Sequence, residues 1–102
     1  MNFEALKRAI RQGRFIVSRH ARKRPSQRGL KLDALLQAMD DAELLEYDPE
    51  TRGYALPIWL ILVWVDGPVH VLWAFDEESG EAVLVTAYRP GPDKWVDYRR
   101  RR

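Results

Sequence analysis

The chain contains no cysteine. That excludes a disulfide, a thiolate nucleophile and a cysteine-based zinc site. Histidine is scarce: His20 and His70 are the two present, too few and too far apart in sequence to hold zinc unless acids complete the set. No apolar run approaches the roughly 18 residues of a membrane span, the longest being Ile58 to Val65. Met1 to Arg14 carries no apolar stretch of the kind that forms a signal peptide, so the expected location is the cytoplasm. There is no Gly-rich phosphate loop, no serine nucleophile elbow and no carboxylate pair with diagnostic spacing. Asp40-Asp41 and Glu77-Glu78 read as surface. No repeat and no long linker divides the sequence, and 102 residues suit one domain spanning 1–102.

The most telling shortage is of acids. Between Leu6 and Leu32 there are ten Lys or Arg and not one Asp or Glu. From Asp33 to Glu50 the sign reverses, with seven acids and no base. The net charge of +2 hides both runs. A surface of one sign beside a histidine is what a phosphate-rich ligand selects, so nucleic acid is the first partner to consider and RNA cleavage the first chemistry. Lys7, Arg8, Arg11, Arg14, Arg22 and Lys23 are the expected contacts to an RNA backbone. The plainer reading is a solvated basic face, partly neutralised by the acidic run. Hydrophobic residues at 46% against 31% charged residues predict a folded globule, with four Trp, four Tyr and three Phe supplying core bulk.

Asn2 caps a first predicted helix in which Phe3, Leu6 and Ile10 share a face and Gly13 is the stop. Phe15 to Val17 reads as a short strand or extended link. Ser18 is the N-cap of the next segment, with His20 in its first turn. Pro25 predicts a single turn from Arg19 to Arg24 and then a break or kink. A further helix presents Leu32, Leu35, Leu36 and Met39 as one stripe. Strands follow over Glu43 to Tyr47, Tyr54 to Val65, Val69 to Phe75 and Glu81 to Tyr88, with Asp66-Gly67 as a hairpin turn. Trp95 and Tyr98 fold back on the sheet, and Arg99 to Arg102 is a solvated basic tail. Helices first and strands after predict an α+β fold, with N-terminal helices packed on one face of a mainly antiparallel sheet.

Three residues stand out for chemistry. His20 lies at a helix start with Arg24 one turn on and Arg28 beyond it, where the helix N-terminus adds partial positive charge. Strand alternation places His70, Leu72 and Ala74 on one face and Val69, Val71 and Trp73 on the other. His70 is therefore either a half-buried, hydrogen-bonded core group or a second imidazole facing the cleft reached by His20. Two imidazoles flanking a phosphodiester can serve as base and acid. Thr86 and Tyr88 share a face of the last strand, where a phenol packs, stacks on a base or donates to a phosphate oxygen.

Ser18-x-His20-Ala21-x-x-Arg24-x-x-x-Arg28-Gly29-Leu30, Val69-His70-Val71, Val85-Thr86-Ala87-Tyr88-x-Pro90 and Trp95 together resemble the small bacterial domain-of-unknown-function family numbered 4258. That family is similar to the RelE and MqsR toxins within a wider barnase-like ribonuclease group. The resemblance implies a RelE-like fold and the toxin of a type II toxin–antitoxin pair. It further implies cleavage of messenger RNA, free or ribosome-bound, and a zinc-finger antitoxin as partner. Carried over by position, the catalytic candidates are His20, Arg24, Arg28, His70 and Tyr88. The sequence departs from the family pattern at Pro25, and at Lys31, where a small hydroxyl cap is common.

The expected function is thus a metal-independent endoribonuclease that uses no cofactor. His20 and His70 would exchange the protons, Arg24 and Arg28 would hold the phosphoryl charge, and Tyr88 would stack or orient. The alternative is a non-catalytic nucleic-acid- or protein-binding module: Trp59, Trp64 and Trp73 are not all expected to be buried, and an exposed aromatic strip would mark a partner or homodimer contact. The distance between the two imidazoles separates these readings.

Overall fold

In the computed structural model, residues 2–27, 29–49 and 56–102 are described, with the side chains of 24–27 left aside. Helix α1 spans Phe3–Arg11 and starts where Asn2 Oδ1 accepts from the Ala5 amide at 3.0 Å. Glu4 sits in its first turn, where a negative charge suits the helix dipole. Leu6, Ala9 and Ile10 are its buried face, and Gly13 turns the chain at a φ of 77°. Strand β1 is Phe15–Val17 and helix α2 is Arg19–Gln27. Helix α3, Leu32–Gln37, tightens into a 3₁₀ turn over Ala38–Asp41. Strands β2 (Glu43–Asp48), β3 (Ile58–Trp64), β4 (Pro68–Asp76) and β5 (Glu81–Tyr88) complete the main sheet. Short strands β6 (Trp95–Val96) and β7 (Arg100–Arg101) form a separate hairpin.

The main sheet has the order β1-β5-β4-β3-β2. Consecutive strands β2 to β5 pair antiparallel, while β1 pairs parallel with β5. The fold is therefore α+β, as the element order predicts, and its five-stranded sheet is mixed through the one parallel pair, β1 with β5. Trp59, Ile61, Val63, Val69, Val71, Trp73, Phe75, Ala82, Leu84 and Ala87 form one sheet face and share a core with Leu6, Ile10, Ala21, Leu35 and Met39 of the helices. Phe3 and Tyr47 pack on Trp59, and Phe15 meets Trp73 edge-on at 5.9 Å. Among the described residues the buried indole N–H groups of Trp59 and Trp73 have no hydrogen-bond partner. Of the three tryptophans not all expected to be buried, Trp59 and Trp73 belong to the core and Trp64 is half exposed.

Four expectations need correction. Helix α2 does not break at Pro25 but runs on to Gln27. A proline withdraws one amide from the ladder, and at the seventh of nine positions it falls in the last turn, close to where the helix ends anyway. The stripe on α3 is incomplete: Leu35 and Met39 are buried, whereas Leu32 at the first turn is exposed. Strand β3 starts at Ile58, because Pro57 has no N–H for the ladder and offers its carbonyl to Phe75 instead. Residues 54 and 55 of the expected strand lie outside the described residues. Last, Arg99 to Arg102 is not a loose tail. It holds β7 against β6 and against the acids of β2. Trp95 and Tyr98 do fold back on the second sheet face, against His70, but as part of a paired β6–β7 hairpin that the sequence reading did not include.

Candidate functional site

Helix α2 is fixed by Ser18. Its Oγ accepts from the Ala21 amide at 3.0 Å and donates to the Val85 carbonyl at 2.8 Å. Its own amide donates to the Leu84 carbonyl at 3.0 Å. Val85 is the extra residue of a bulge in β5, since Leu72 faces Thr86 while Trp73 faces Leu84. The bulge leaves a carbonyl outside the ladder, and the helix cap takes it. Ala21 is buried below. With Ala21 turned inward, Arg19, His20, Arg22 and Lys23 are left exposed. His20 and Lys23 stand one turn apart on one side.

Among the described residues no carboxylate pairs with Arg8, Arg14, Arg19, Arg22 or Lys23. Lys7 and Arg11 are engaged: the Lys7 ammonium donates to the Asp40 carbonyl at 3.2 Å, and Arg11 lies 3.9 Å from the Asp40 carboxylate. The Arg14 guanidinium rests over Gly80, 3.4 Å from where a Cβ would stand. Arg28 and the Arg24 side chain, both expected beside His20, lie outside the described residues. A mainly apolar groove of about 670 Å³ separates α2 from α3, with Arg22 and Lys31 among its lining. Neither histidine lines it.

His70 occupies the other side of the sheet. It pairs with Leu62 on β3 and Tyr88 on β5, on the face that alternates with the helix-side core. The ring is fully buried, edge-on to Trp95 at 4.4 Å. Its Nε2 lies 2.6 Å from the Tyr98 carbonyl and its Nδ1 lies 3.1 Å from the Tyr88 hydroxyl. A carbonyl only accepts, so Nε2 carries the proton and Nδ1 accepts from Tyr88. Burial pushes the imidazole below its usual range, opposed by the Tyr98 carbonyl and the Glu46 charge and reinforced by Arg101.

The two histidines are therefore not gathered into one pocket. His20 is solvent-facing on a helix that covers one sheet face, and His70 is sealed beneath the hairpin on the other. The reason is topological: alternation fixes which residues share a face, and the C-terminal hairpin closes the face that the helices leave open. Of the catalytic candidates the structure joins His70 and Tyr88, and keeps His20 apart. Beside Tyr88 opens a cleft of about 500 Å³ lined by Asp93, Lys94, Trp95, Arg101 and Arg102. Lys94, Arg101 and Arg102 were missed as site residues because the charge pattern reads as a tail; the turn residues Pro90, Gly91 and Pro92 were the available sign that the chain reverses there. Among the described residues, no three His, Asp or Glu side chains are grouped as metal ligands would be, and no helix is long and apolar enough to cross a membrane.

The chain belongs to the family described as a domain of unknown function (DUF4258), whose model matches residues 17–89. The matched span runs from the end of β1 to just past Tyr88. It holds Ser18, His20, His70 and Tyr88, and leaves out α1 and the β6–β7 hairpin. No curated protein and no solved structure matches the chain.

Proposed function

We propose that this protein is a metal-independent endoribonuclease that cuts messenger RNA, the toxin of a type II toxin–antitoxin pair on a RelE-like variant of its α+β fold, acting in the cytoplasm and held in check by a zinc-finger antitoxin. The observation that carries this reading is the surface of α2. There an exposed His20 stands among Arg19, Arg22 and Lys23, with no carboxylate on any of them among the described residues. Unspent cations beside an exposed imidazole suit a phosphodiester, and RNA brings its own nucleophile in the 2′-hydroxyl.

In this mechanism the 2′-hydroxyl attacks the neighbouring phosphorus in line. His20 takes its proton, the 5′ oxygen leaves and takes a proton from water, and the products are a 2′,3′-cyclic phosphate and a free 5′-hydroxyl. Lys23, one helical turn from His20, holds the phosphoryl oxygens as charge builds on them. Arg8, Arg14 and Arg22 steer the rest of the backbone. His70 is not part of the step, because both ring nitrogens are engaged and the ring is sealed.

The test is the purified chain with chelator and a labelled single-stranded RNA. Cleavage leaves cyclic phosphate ends, and His20→Ala lowers the rate about a hundredfold or more without changing the melting temperature. Wild-type protein that binds RNA with a steep salt dependence but leaves it intact supports the second reading, a non-catalytic nucleic-acid-binding module. That reading is favoured by one specific observation, the separation of the two histidines across the sheet.

A further inference from the structure

We infer that the groove between α2 and α3 is a docking site for another protein, and that it takes an acidic segment bearing large aliphatic side chains. This goes beyond the ribonuclease reading and stands without it.

The floor of the groove is apolar. Ala21, Leu30, Leu35 and Leu84 line it and are buried. Val17 and Leu32 line it closer to solvent. Leu32 is the telling member. By spacing it belongs to the stripe that buries Leu35 and Met39, yet it is 37% exposed. An exposed leucine at the lip of an apolar groove of about 670 Å³ is what a partner's side chain covers.

The rim is basic. Arg22 reaches the groove from α2, and Lys31 from the residue ahead of α3. Arg19 and Lys23 carry the positive charge along the exposed side of α2. None of these cations has an ion pair among the described residues. The described lining contains no acid, and Asp33 in the first turn of α3 lies outside it. Cations spread along a helix match several carboxylates on one segment better than they match the single headgroup of a lipid.

Two other occupants fit less well. A nucleic-acid strand binds through rings on which its bases stack, and the described lining holds no aromatic side chain. A second copy of this chain would have to bring acids, but Asp40, Glu43 and Glu46 of its acidic run already meet Arg11, Arg99 and Arg101. A foreign acidic segment satisfies both floor and rim. Under the ribonuclease reading such a segment also covers Arg22 and keeps RNA off that part of α2.

The experiment is selection of a phage-displayed random peptide library on the full chain, followed by fluorescence anisotropy of the selected peptides. The expected result is enrichment of peptides that combine Asp or Glu with Leu, Ile, Met or Phe. Leu32→Ser, a surface substitution that changes no charge, weakens the selected peptide about tenfold and leaves the melting temperature and the binding of a single-stranded RNA unchanged. Arg22→Glu with Lys31→Glu weakens it by a similar factor, and a peptide with its acids replaced by lysine regains affinity on that variant. These readouts do not need RNA cleavage, so a protein that leaves RNA intact fails the ribonuclease reading and not this one. The inference is overturned if no peptide is enriched, if the enriched peptides carry no acids, or if neither variant weakens them. It is also overturned if Leu32→Ser weakens the RNA as much as the peptide, which would make the groove part of a nucleic-acid surface.

Discussion

Two arginine-rich segments lie far apart in the sequence, and the fold spends them in opposite ways. On α2, Arg19, Arg22 and Lys23 are exposed and meet no carboxylate among the described residues. On the C-terminal hairpin, Arg99 lies 2.6 Å from Glu43, and Arg101 grips Glu46 through two bonds. The acidic run that follows the basic one therefore neutralises mainly the other end of the chain. Adjacent charge runs in a sequence need not be partners. What brings Glu43 and Glu46 to the hairpin is the position of β2 at the sheet edge and the hairpin's cover over the face where His70 lies. Each segment also has its histidine, one open to solvent and one sealed. The comparison leaves the cations of α2 without carboxylates among the described residues and ties those of the hairpin to β2.

The sharpest way to break that division is at the sealed histidine. His70→Ala removes a ring that packs against Trp95, together with its hydrogen bonds to the Tyr98 carbonyl and the Tyr88 hydroxyl. Cavity and lost hydrogen bonds together should cost about 3–5 kcal/mol, read as a fall in the denaturant midpoint. His20→Ala should leave that midpoint where it is. Equal losses from both substitutions would mean that α2 is as structural as the hairpin.

The next effect concerns RNA. Replacing Arg19, Arg22 and Lys23 together by Ala should weaken binding to a single-stranded RNA about a hundredfold at low salt and reduce the slope of affinity against log salt by about 2. Filter binding across a salt series measures both. Replacing Arg99 and Arg101 should leave slope and affinity nearly unchanged, because their charges are already matched by Glu43 and Glu46. A slope that falls equally in the two variants would erase the distinction.

Part of this division is readable in the sequence and part is not. Local chemistry is explicit: Asn2 and Ser18 cap the helices they were expected to cap, and Asp66-Gly67 turns the hairpin. Alternation correctly grouped His70 with Leu72 and Ala74, and Thr86 with Tyr88, because a strand's period fixes its faces. Which face the helices would cover is a different question, decided by the pairing of β1 with β5, a contact between residues some 67 positions apart. The hairpin was missed because its turn carries Asp97 and Tyr98 in place of Asn-Gly, so the usual signal is absent. The end of α2 was misread because a proline in a last turn resembles, on paper, a proline at a break.

A smaller effect tests the hairpin's ion pair. Arg101→Ala should cost about 1 kcal/mol or less, since the pair is largely exposed and screened, and the loss should shrink in high salt. Glu46→Gln should give a similar loss. The double variant should lose little more than either single one if the pair acts as a unit. Additive losses would show that Arg101 holds the hairpin through its contact with Trp95 rather than through charge.

The smallest effect is a dependence on pH that belongs to one side of the sheet. Burial holds His70 below the ordinary imidazole value of 6.5, so the unfolded chain binds a proton that the folded chain refuses. Stability contributed by the neutral ring is therefore complete above that value. It is lost as pH falls from 6.5 toward the lowered folded value, and levels off beneath it. Glu46 and the Tyr98 carbonyl favour the charged ring and so work against burial, while Arg101 acts with it. Denaturant midpoints of wild type and His70→Gln, taken at steps from pH 8 to 5, isolate it: carboxylate contributions appear in both curves, and the difference between them is the histidine's. If the His70→Gln curve ran parallel to wild type from pH 8 to 5, the sealed imidazole would not be the source of the acid-side loss.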